Sequence, residues 1–562
     1  MSYALASGVS GMTAFQQMID VAGNNLANMN TTAFKGSSVN FAACMSQTLK
    51  QASGPTDSMG GTNATQVGSG VSVGSITANM TGGSIVGTNN NLDVAIDGEG
   101  YFVVSSSEGA LYTRAGAFGV DEQGYLTDPS TGYRVQRIGT TGESDGFQVT
   151  GNTNIRIPYD VSLPASGTTE IMFSGNCSAS AAGSNLAQTL VSNVTYTTDG
   201  GSDATAATQI DQLDQFSGGS AADGQLGAAQ TGTITISGYN PDGSALSAGL
   251  SFTVGAGTTV GDLITHLNTN VLTGSTASFV DGQIVITDDA TGYSRTDIAM
   301  TYSGAGSLET PAYFEMSAVG GEEVINTNIT TYDSLGNAHV LSAALVRTDT
   351  PNTWDLVLTS VTGDVEGIAM ADRRIAGITF DAETGAYAGI TGGAAADFAV
   401  AFSFNPTDVQ TISLNLGTVG AFDGLTQFAG DSTAVAQEQD GYESGSLTSV
   451  SVGSDGVIIG TFSNGEKRDV AALAIALFKN PSGLASVGDN YFTVSANSGE
   501  AVVTQAGSGG AGTIQGNALE ESNVDMSAEF VKLIEAQNGF QANARTITVA
   551  NDILQELVNL IR

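Results

Sequence analysis

Cysteine and histidine, two residue types that build many enzyme and metal sites, are scarce in this sequence. Its 562 residues include two cysteines, Cys44 and Cys177, and two histidines, His266 and His339. Two cysteines cannot form a disulfide framework or a cysteine-rich zinc site. Neither histidine has a cysteine or the other histidine beside it. We therefore expect no enzyme activity, no catalytic residues, no cofactor and no metal.

Positive charge is also scarce. Lys and Arg total 16 against 55 Asp and Glu, which gives a formal net charge of −39. Such a chain is repelled by nucleic acids and anionic membranes, because binding there depends on Lys and Arg neutralising phosphate. We therefore expect no nucleic-acid partner.

Long apolar runs are missing. The longest, residues 470–478, has nine residues, whereas a membrane-spanning helix needs about 20. The first basic residue is Lys35, so no positively charged segment precedes an apolar core, as a secretory signal peptide requires. We expect neither membrane insertion nor a cleaved signal peptide.

Glycine is abundant, with 74 residues, while charged residues make up only 13% of the chain. Together with many Thr, Ser, Val and Ile residues, this composition predicts a β-rich protein with tight turns. A hydrophobic fraction of 41% argues against disorder throughout the chain. A prior of about 150 residues per domain suggests three to four domains.

The two ends of the chain have helical rather than strand periodicity. From residue 4 to residue 29, apolar side chains recur every three or four residues, which places them on one face of a helix. These residues are Leu5, Val9, Met12, Phe15, Ile19, Ala22, Leu26 and Met29. We expect an N-terminal helix that buries this face.

The C-terminal segment has a stricter pattern, in which steps of three and four alternate without a break, as in a coiled-coil seam. Its members are Phe530, Leu533, Gln537, Phe540, Ala544, Ile547, Asn551, Leu554, Val558 and Ile561. Either Asp525 or Ser527 can serve as the N-cap. The polar residues Gln537 and Asn551 would fix the register of the seam.

Two interpretations of the terminal helices remain open. Each helix could pack on the core of its own domain. Alternatively, the two helices pair with each other, and the β-rich middle is an excursion from a helical stalk. Since a two-helix stalk buries only one stripe of each helix, it should be marginal alone. We infer that the termini are assembly elements that gain further burial from neighbouring copies.

The middle of the chain contains several strand patterns. Residues 46–83 are rich in Gly, Ser, Thr and Asn and predict a linker or extended arm. Residues 92–104 alternate around Asp97-Gly98 and Glu99-Gly100, which predicts a hairpin. One internal helix, near residues 259–268, is bracketed by strands and indicates a compact insert over residues 186–318.

Three short motifs resemble catalytic or nucleotide-binding signatures. Residues 70–74 and 142–146 match the GxSxG nucleophile elbow, and residues 507–512 match GxGxxG. Each signature requires a helix immediately after the turn, and none of these segments is followed by a helical pattern. We interpret all three as chance matches in a sequence rich in glycine and serine.

Both ends of the chain resemble the bacterial flagellar rod and hook family. The resemblance lies in residues 22–41 and 519–562, which are similar to the family's two terminal signatures, and in residues 92–102. Residues 331–354 and 441–481 resemble hook members in particular. The signatures carry over onto Asn24, Asn25, Ala27, Asn28, Asn30, Thr31, Phe34, Lys35, Asn523, Val524, Asp525, Gln537, Gln541, Ala542, Asn543, Ile547 and Leu554. Ala33 and Gly539 depart from the family pattern, which more often has Gly and a bulkier residue there.

This resemblance implies a structural subunit that assembles with itself into a curved, hollow, flexible tube that transmits motor torque. The implied partners are further copies of the chain, the distal rod subunit, the hook cap protein, the hook–filament junction protein and the flagellar type III export apparatus. The implied location is the extracellular flagellum. The alternatives are another flagellar axial protein, such as a distal rod or junction subunit, and a secreted β-rich adhesin or hydrolase.

The expected fold is mainly β and multidomain, with β domains inserted between paired terminal helices in a coiled coil. We expect five parts: residues 1–30 with 523–562 as the helical domain, 31–70 with 508–522 as an extended arm, 71–155 with 415–507 as an inner β domain, 156–185 with 319–414 as a middle β domain, and 186–318 as an outer insert of α/β or β structure.

Overall fold

The computed structural model describes residues 2–180, 186–220, 224–247, 250–363, 365–402, 404 and 409–560. The chain forms two compact units. The first unit combines both ends of the chain, Met1–Leu163 and Gly445–Arg562, and the second unit is the intervening segment Pro164–Ser444. The second unit is therefore an insertion in the first.

The expected terminal helices are present. Helix α1 spans Ser2–Ala27, the short helix α2 spans Val260–His266, and helix α3 spans Met526–Leu560. Helices α1 and α3 pack together, so a β-rich chain with paired terminal helices is confirmed. The predicted internal helix is also confirmed: Thr259 caps α2 in a capping box with Asp262, because each side chain binds a backbone N–H of the other residue.

The described residues of the first unit form six sheets and ribbons. Two antiparallel ribbons pair Ser37–Ala43 with Val71–Ala78 and Gln47–Lys50 with Thr65–Val67. The largest sheet has nine strands: Ala485–Gly488, Tyr491–Thr493, Gly109–Thr113, Tyr101–Ser106, Arg134–Val135, Leu126–Thr127, Gly119–Val120, Ile475–Leu477 and Val502–Thr504. A four-stranded sheet contains Ser162–Leu163, Gly445–Val452, Val457–Phe462 and Lys467–Ala472. The remaining two ribbons pair Val94–Asp97 with Thr513–Gly516 and Ile85–Gly87 with Ala518–Glu520.

One prediction for this unit was wrong. The strands on either side of Gly98 and Gly100 do not form a hairpin, because Val94–Asp97 pairs with Thr513–Gly516 and Tyr101–Ser106 pairs with Gly109–Thr113. Both glycines have positive φ and make a corner rather than a two-residue turn. Residues 46–83, predicted as a linker or extended arm, contribute strands to two antiparallel ribbons.

The second unit contains four larger sheets and two short ribbons. A six-stranded mixed sheet contains Val365–Gly367, Asp397–Phe402, Gln410–Asn415, Glu170–Asn176, Leu425–Thr426 and Val435–Gln439. A five-stranded antiparallel sheet contains Val324–Tyr332, Ala338–Arg347, Thr353–Val361, Arg374–Phe380 and Tyr387–Ile390. A four-stranded sheet contains Ser275–Val280, Gln283–Asp288, Thr189–Ser192 and Phe314–Ala318, and a three-stranded sheet contains Leu250–Gly255, Thr231–Tyr239 and Asp297–Gly304. The two short ribbons pair Thr197–Thr198 with Ser202–Asp203 and Phe216–Ser217 with Ser307–Leu308.

The predicted insert over residues 186–318 shares its core with the five-stranded sheet. Its hydrophobic cluster also contains Ala344, Val346 and Val357 from that sheet. Asp297 forms a buried ion pair with Arg373 at 3.1 Å, which joins the insert to the middle of the chain. The segment 415–439, predicted to belong with the inner β domain, lies instead in the second unit, because Val435–Gln439 pairs with Glu170–Asn176. The division into five parts otherwise stays a prediction.

Replacing Asp297 with alanine should destabilise the whole second unit. Arg373 would keep a buried charge without its partner, which costs about 3–5 kcal/mol. The only tryptophan of the sequence, Trp354, is fully buried in the neighbouring hydrophobic cluster and reports unfolding by fluorescence. Asp349→Ala, at an exposed turn, is the control. An unchanged Trp354 transition in the Asp297 variant would show that residues 186–318 unfold separately.

Candidate functional site

Helices α1 and α3 run antiparallel and approach closely through small residues. A Cβ atom placed on Gly8 would lie 2.9 Å from Ile547 Cγ1, and one on Gly11 would lie 2.6 Å from Asn543 Oδ1. The reciprocal contact places Gly539 of α3 against the ring of Phe15. Because glycine has no side chain, the backbones can come together at these positions.

The residues of the two predicted seams differ in burial. Ala22 is buried, and eleven are half-buried: Leu5, Met12, Phe15, Ile19, Leu26, Met29, Leu533, Phe540, Ala544, Ile547 and Leu554. Five are exposed: Val9, Phe530, Gln537, Asn551 and Val558. Ile561 lies outside the described residues.

The contact face of α3 differs from the predicted one. Leu533, Phe540 and Ile547 lie on the contact face, as predicted. The residues three positions after each of them, Ala536, Asn543 and Ala550, are buried or half-buried and complete this face. The predicted alternates lay four residues after, at Gln537, Ala544 and Asn551. Gln537 and Asn551 are exposed in the single chain and lie outside its contact with α1, so their register role stays a prediction. Small side chains occupy this contact face because they let the two helices approach more closely than the larger side chains of the predicted seam would allow.

The outer face of α3 carries large apolar side chains that remain exposed. They are Met526, Phe530, Val531, Ile534, Val549, Ile553, Leu557 and Val558, each between 44% and 63% exposed. Val558 also lies past the start of α1, because Gly8 already faces Ile547 in an antiparallel pair. A helix that is apolar on more than its packed face is normally buried by a further partner.

Replacing Gly539 with alanine should weaken the helix pair although it raises helix propensity. Its Cβ would lie 2.5 Å from Phe15 Cζ, whereas a Cβ on Gly23 of α1 would meet nothing within 4 Å. Gly23→Ala should therefore stabilise its helix by up to about 1 kcal/mol. Thermal loss of helical circular dichroism measures both variants. A Gly539→Ala variant whose thermal stability rises as much as that of the Gly23→Ala variant would contradict the close helix contact.

Below the helix pair, the N- and C-terminal segments meet in a polar junction. Asn25 binds Ser37 reciprocally, accepting from its N–H at 2.9 Å and donating to its carbonyl at 2.8 Å. Asn523 accepts from Gly36 N–H at 2.9 Å, and its amide donates to the carbonyls of Asn79 and Thr81. Two asparagines of opposite chain ends thus hold the two backbone positions that follow Lys35.

A buried charge cluster lies at the centre of this junction. Lys35 Nζ lies 2.5 Å from Glu520 Oε1, and Arg114 Nη1 lies 3.4 Å from Glu520 Oε2. The side chains of Lys35 and Glu520 are each 1% exposed. Burial lowers the pKa of Lys35, while the hydrogen bond and charge of Glu520 act in the opposite direction. Arg114 also donates to the carbonyls of Gly98 and Gly100, which holds the corner between two strands of the first unit.

Other residues of the terminal signatures occupy more peripheral positions. Asp525 is the N-cap of α3, since its Oδ1 accepts from Ser527 and Ala528 N–H. Val524 packs against Gly36, and Asn28 donates to Asn24 and accepts from Thr31. Phe34 is half-buried, and Asn543 lies at the helix contact. The exposed signature residues are Asn24, Ala27, Asn30, Thr31, Gln541 and Ala542.

Sequence reasoning missed Arg114 and Glu520 as members of the site. Glu520 lies 485 positions from Lys35, and no local pattern links the two. Ala33 illustrates the same limit. It adopts a left-handed backbone conformation with φ of 58°, which the family's more frequent glycine adopts without strain, while an alanine there costs about 1–2 kcal/mol.

Replacing Glu520 with glutamine should destabilise the junction by about 3–5 kcal/mol, because Lys35 and Arg114 would retain buried charges without a counterion. Amide hydrogen exchange around residues 33–37 and 518–523 measures the effect. The matched control is Glu521→Gln, the exposed neighbour, which should exchange like the wild type. Equal protection in both variants would show that the buried charges do not hold the junction.

The three motif matches show no catalytic context. None of residues 70–74, 142–146 and 507–512 is followed by a helix in the described structure. Within the described residues, no group of three or more His, Cys, Asp or Glu side chains is arranged to hold a metal ion. The described helices include none that is long and apolar enough to span a membrane.

Four parts of the chain match known protein families. Residues 5–35 match the family of flagella basal body rod proteins, and residues 515–560 match the C-terminal region of the flagellar basal body rod proteins FlgE, FlgF and FlgG. Residues 95–177 match the D1 domain of the flagellar hook proteins FlgE/F/G. Residues 303–442 match the D2 domain of the flagellar basal body protein FlaE.

Full-length relatives extend this similarity. The flagellar hook protein FlgE of Borreliella burgdorferi is 31% identical, and that of Treponema pallidum is 32% identical, each with 100% of both chains aligned. The Escherichia coli FlgE is 28% identical over 99% of this chain and 100% of its own. A crystal structure of Helicobacter pylori flagellar hook protein FlgE2 aligns with 77% of this chain and 100% of its own, at 18% identity and a TM-score of 0.39.

Proposed function

The chain belongs to the flagellar hook protein family, and from this premise we propose that its terminal helices are the surfaces through which copies assemble. It is a structural subunit of the flagellar hook. The observation that carries the proposal is the exposed apolar face of α3, which includes Ile534, Ile553 and Leu557. A neighbouring copy of the chain would bury this face.

The energetics favour assembly through α3. Fully burying a Val, Leu, Ile or Phe side chain is worth about 1.5–3 kcal/mol, so each of the half-exposed residues gains roughly half of that from a neighbour. Several such residues per copy, repeated through a polymer, supply a driving force that the isolated helix pair lacks. The exposed residues Phe530 and Val558 of the predicted seam and the exposed signature residues Gln541 and Ala542 belong to this proposed contact.

The helix contact through Gly8, Gly11 and Gly539 suits a tube core, because it makes a thin, closely packed pair. The junction of Lys35, Arg114 and Glu520 ties that pair to the first unit through buried charges. A load on the helices would thereby reach the β domains. We propose that copies form a curved, flexible tube of this kind and that it transmits motor torque to the filament.

The same proposal covers partners and location. Beyond further copies of itself, the chain would meet the distal rod subunit, the hook cap protein, the hook–filament junction protein and the flagellar type III export apparatus. The assembled hook would lie outside the cell. A distal rod or junction subunit is the alternative. It is disfavoured because the full-length relatives bear the name of hook proteins, while the rod-protein matches cover the chain ends.

An aspartate at Ile553, on the exposed face, should block tube formation without unfolding the free subunit, because it places a charge in the proposed contact between copies. The control is Asn551→Asp, an exposed polar position on the same helix. Electron microscopy of purified protein measures assembly, and circular dichroism checks that the helices are intact.

A second variant separates the two faces of α3. Leu554 is half-buried toward the helix pair, so Leu554→Asp should reduce the helical signal of the free subunit as well as assembly. Normal curved tubes from the Ile553 variant would overturn the assignment of the outer face as the contact between copies.

A further inference from the structure

A buried histidine in the second unit faces two hydrogen-bond acceptors. His339 Nδ1 lies 2.7 Å from the carbonyl oxygen of Thr362, and Nε2 lies 3.1 Å from Asp333 Oδ2. A carbonyl and a carboxylate oxygen only accept hydrogen bonds, and a neutral imidazole carries a single N–H. Both bonds therefore require the doubly protonated imidazolium ring.

The surroundings keep this ring and its partner in place. The His339 ring packs on Phe402 with centroids 4.3 Å apart, and a Cβ on Gly363 would lie 2.6 Å from Nδ1. Asp333 is fully buried, and its carboxylate also accepts from the N–H groups of Leu335 and Asn337 and from the Asn337 amide. The ring thus has no room to turn away from its two acceptors.

Asp333 supplies the negative charge that the imidazolium needs. Burial acts to raise the pKa of Asp333, but hydrogen bonds from Asn337, His339 and Leu335 outweigh it and lower that pKa below its ordinary value. Thr362, Gly363 and Phe402, which also contact the ring, are not ionisable. Tyr332 and Glu443 are the ionisable residues next to the same turn.

The turn of residues 333–337 lies against both ends of the second unit. A Cβ on Gly336 would lie 2.6 Å from Ala165 Cβ and 3.3 Å from Glu443 Cα. Thr168 N–H donates to the Tyr332 carbonyl at 2.8 Å. Ser166 and Tyr442 exchange two backbone hydrogen bonds at 2.9 Å. Whatever holds the turn therefore also holds the segments where the chain enters and leaves this unit.

We propose that Asp333 and His339 form a proton-dependent latch that fixes the entering and leaving segments of the second unit. The latch is closed when the ring carries both protons. Loss of one proton breaks the bond to Asp333 or to Thr362 and leaves a lone pair facing an acceptor oxygen. The turn then loosens, so the segments near residues 166 and 442 are held less firmly once that proton is lost.

Nitrogen-15 NMR of the full chain, labelled only at histidine, tests the protonation state directly. The two histidines give two ring systems, and His266, whose Nδ1 lies 3.2 Å from the Asn270 amide, is the internal reference. We expect the His339 ring to be doubly protonated in the state in which the Thr168 and Tyr442 amides are protected. A His339 ring that carries a single proton in that state would overturn the latch.

Amide hydrogen exchange, corrected for the intrinsic effect of pH, tests the mechanical consequence. In the wild type, protection of the Thr168 and Tyr442 amides should fall about tenfold between a pH at which the NMR spectrum shows both His339 ring nitrogens protonated and a pH at which it shows a single proton. The His339→Gln variant should show the low protection at both values, and His266→Gln should behave like the wild type. Protection that is independent of pH in the wild type contradicts the proposal, and this measurement stands even if the variant fails to fold.

Discussion

The close antiparallel contact between α1 and α3 is the constraint on which the rest of the first unit depends. Gly8, Gly11 and Gly539 allow it, since any larger side chain at these positions would overlap the opposite helix. Because small residues take part of the inner face, several large apolar residues of α3 are left exposed. The close helix contact thus also leaves an exposed apolar surface on α3, which a neighbouring copy of the chain would bury.

The polar junction connects this helix pair to the β structure of the first unit. Asparagines hydrogen-bond the backbone of the opposite chain end, and Glu520 neutralises part of the charge of Lys35 and Arg114 in a site without solvent. Buried charges of this kind tolerate little displacement, because separating them leaves an unpaired ion. A structural subunit of a torque-bearing assembly benefits from a joint that resists slippage in this way.

Much of the architecture was predictable from periodicity and composition. The terminal helices, the Thr259-capped internal helix and the β-rich middle each depend on local patterns that survive in the structure. The hairpin around Gly98 was wrong, because Val94–Asp97 pairs with Thr513–Gly516 from the far end of the chain. The insert over residues 186–318 stays a prediction, and its hydrophobic cluster extends into the five-stranded sheet. Of the site, Asn25, Lys35 and Asn523 were identified by resemblance, whereas Arg114 and Glu520 were not.

The sequence by itself determined which segments are helical and that the chain carries apolar helices at both ends, since these features follow from neighbouring residues; it left the N-cap of α3 open between Asp525 and Ser527. Only the tertiary structure decided which face of α3 meets α1 and which carboxylate neutralises Lys35. The physical reason is that helix periodicity cannot distinguish adjacent faces when close packing favours glycine and alanine. Nor does any local pattern specify a partner that folding brings from the far end of the chain.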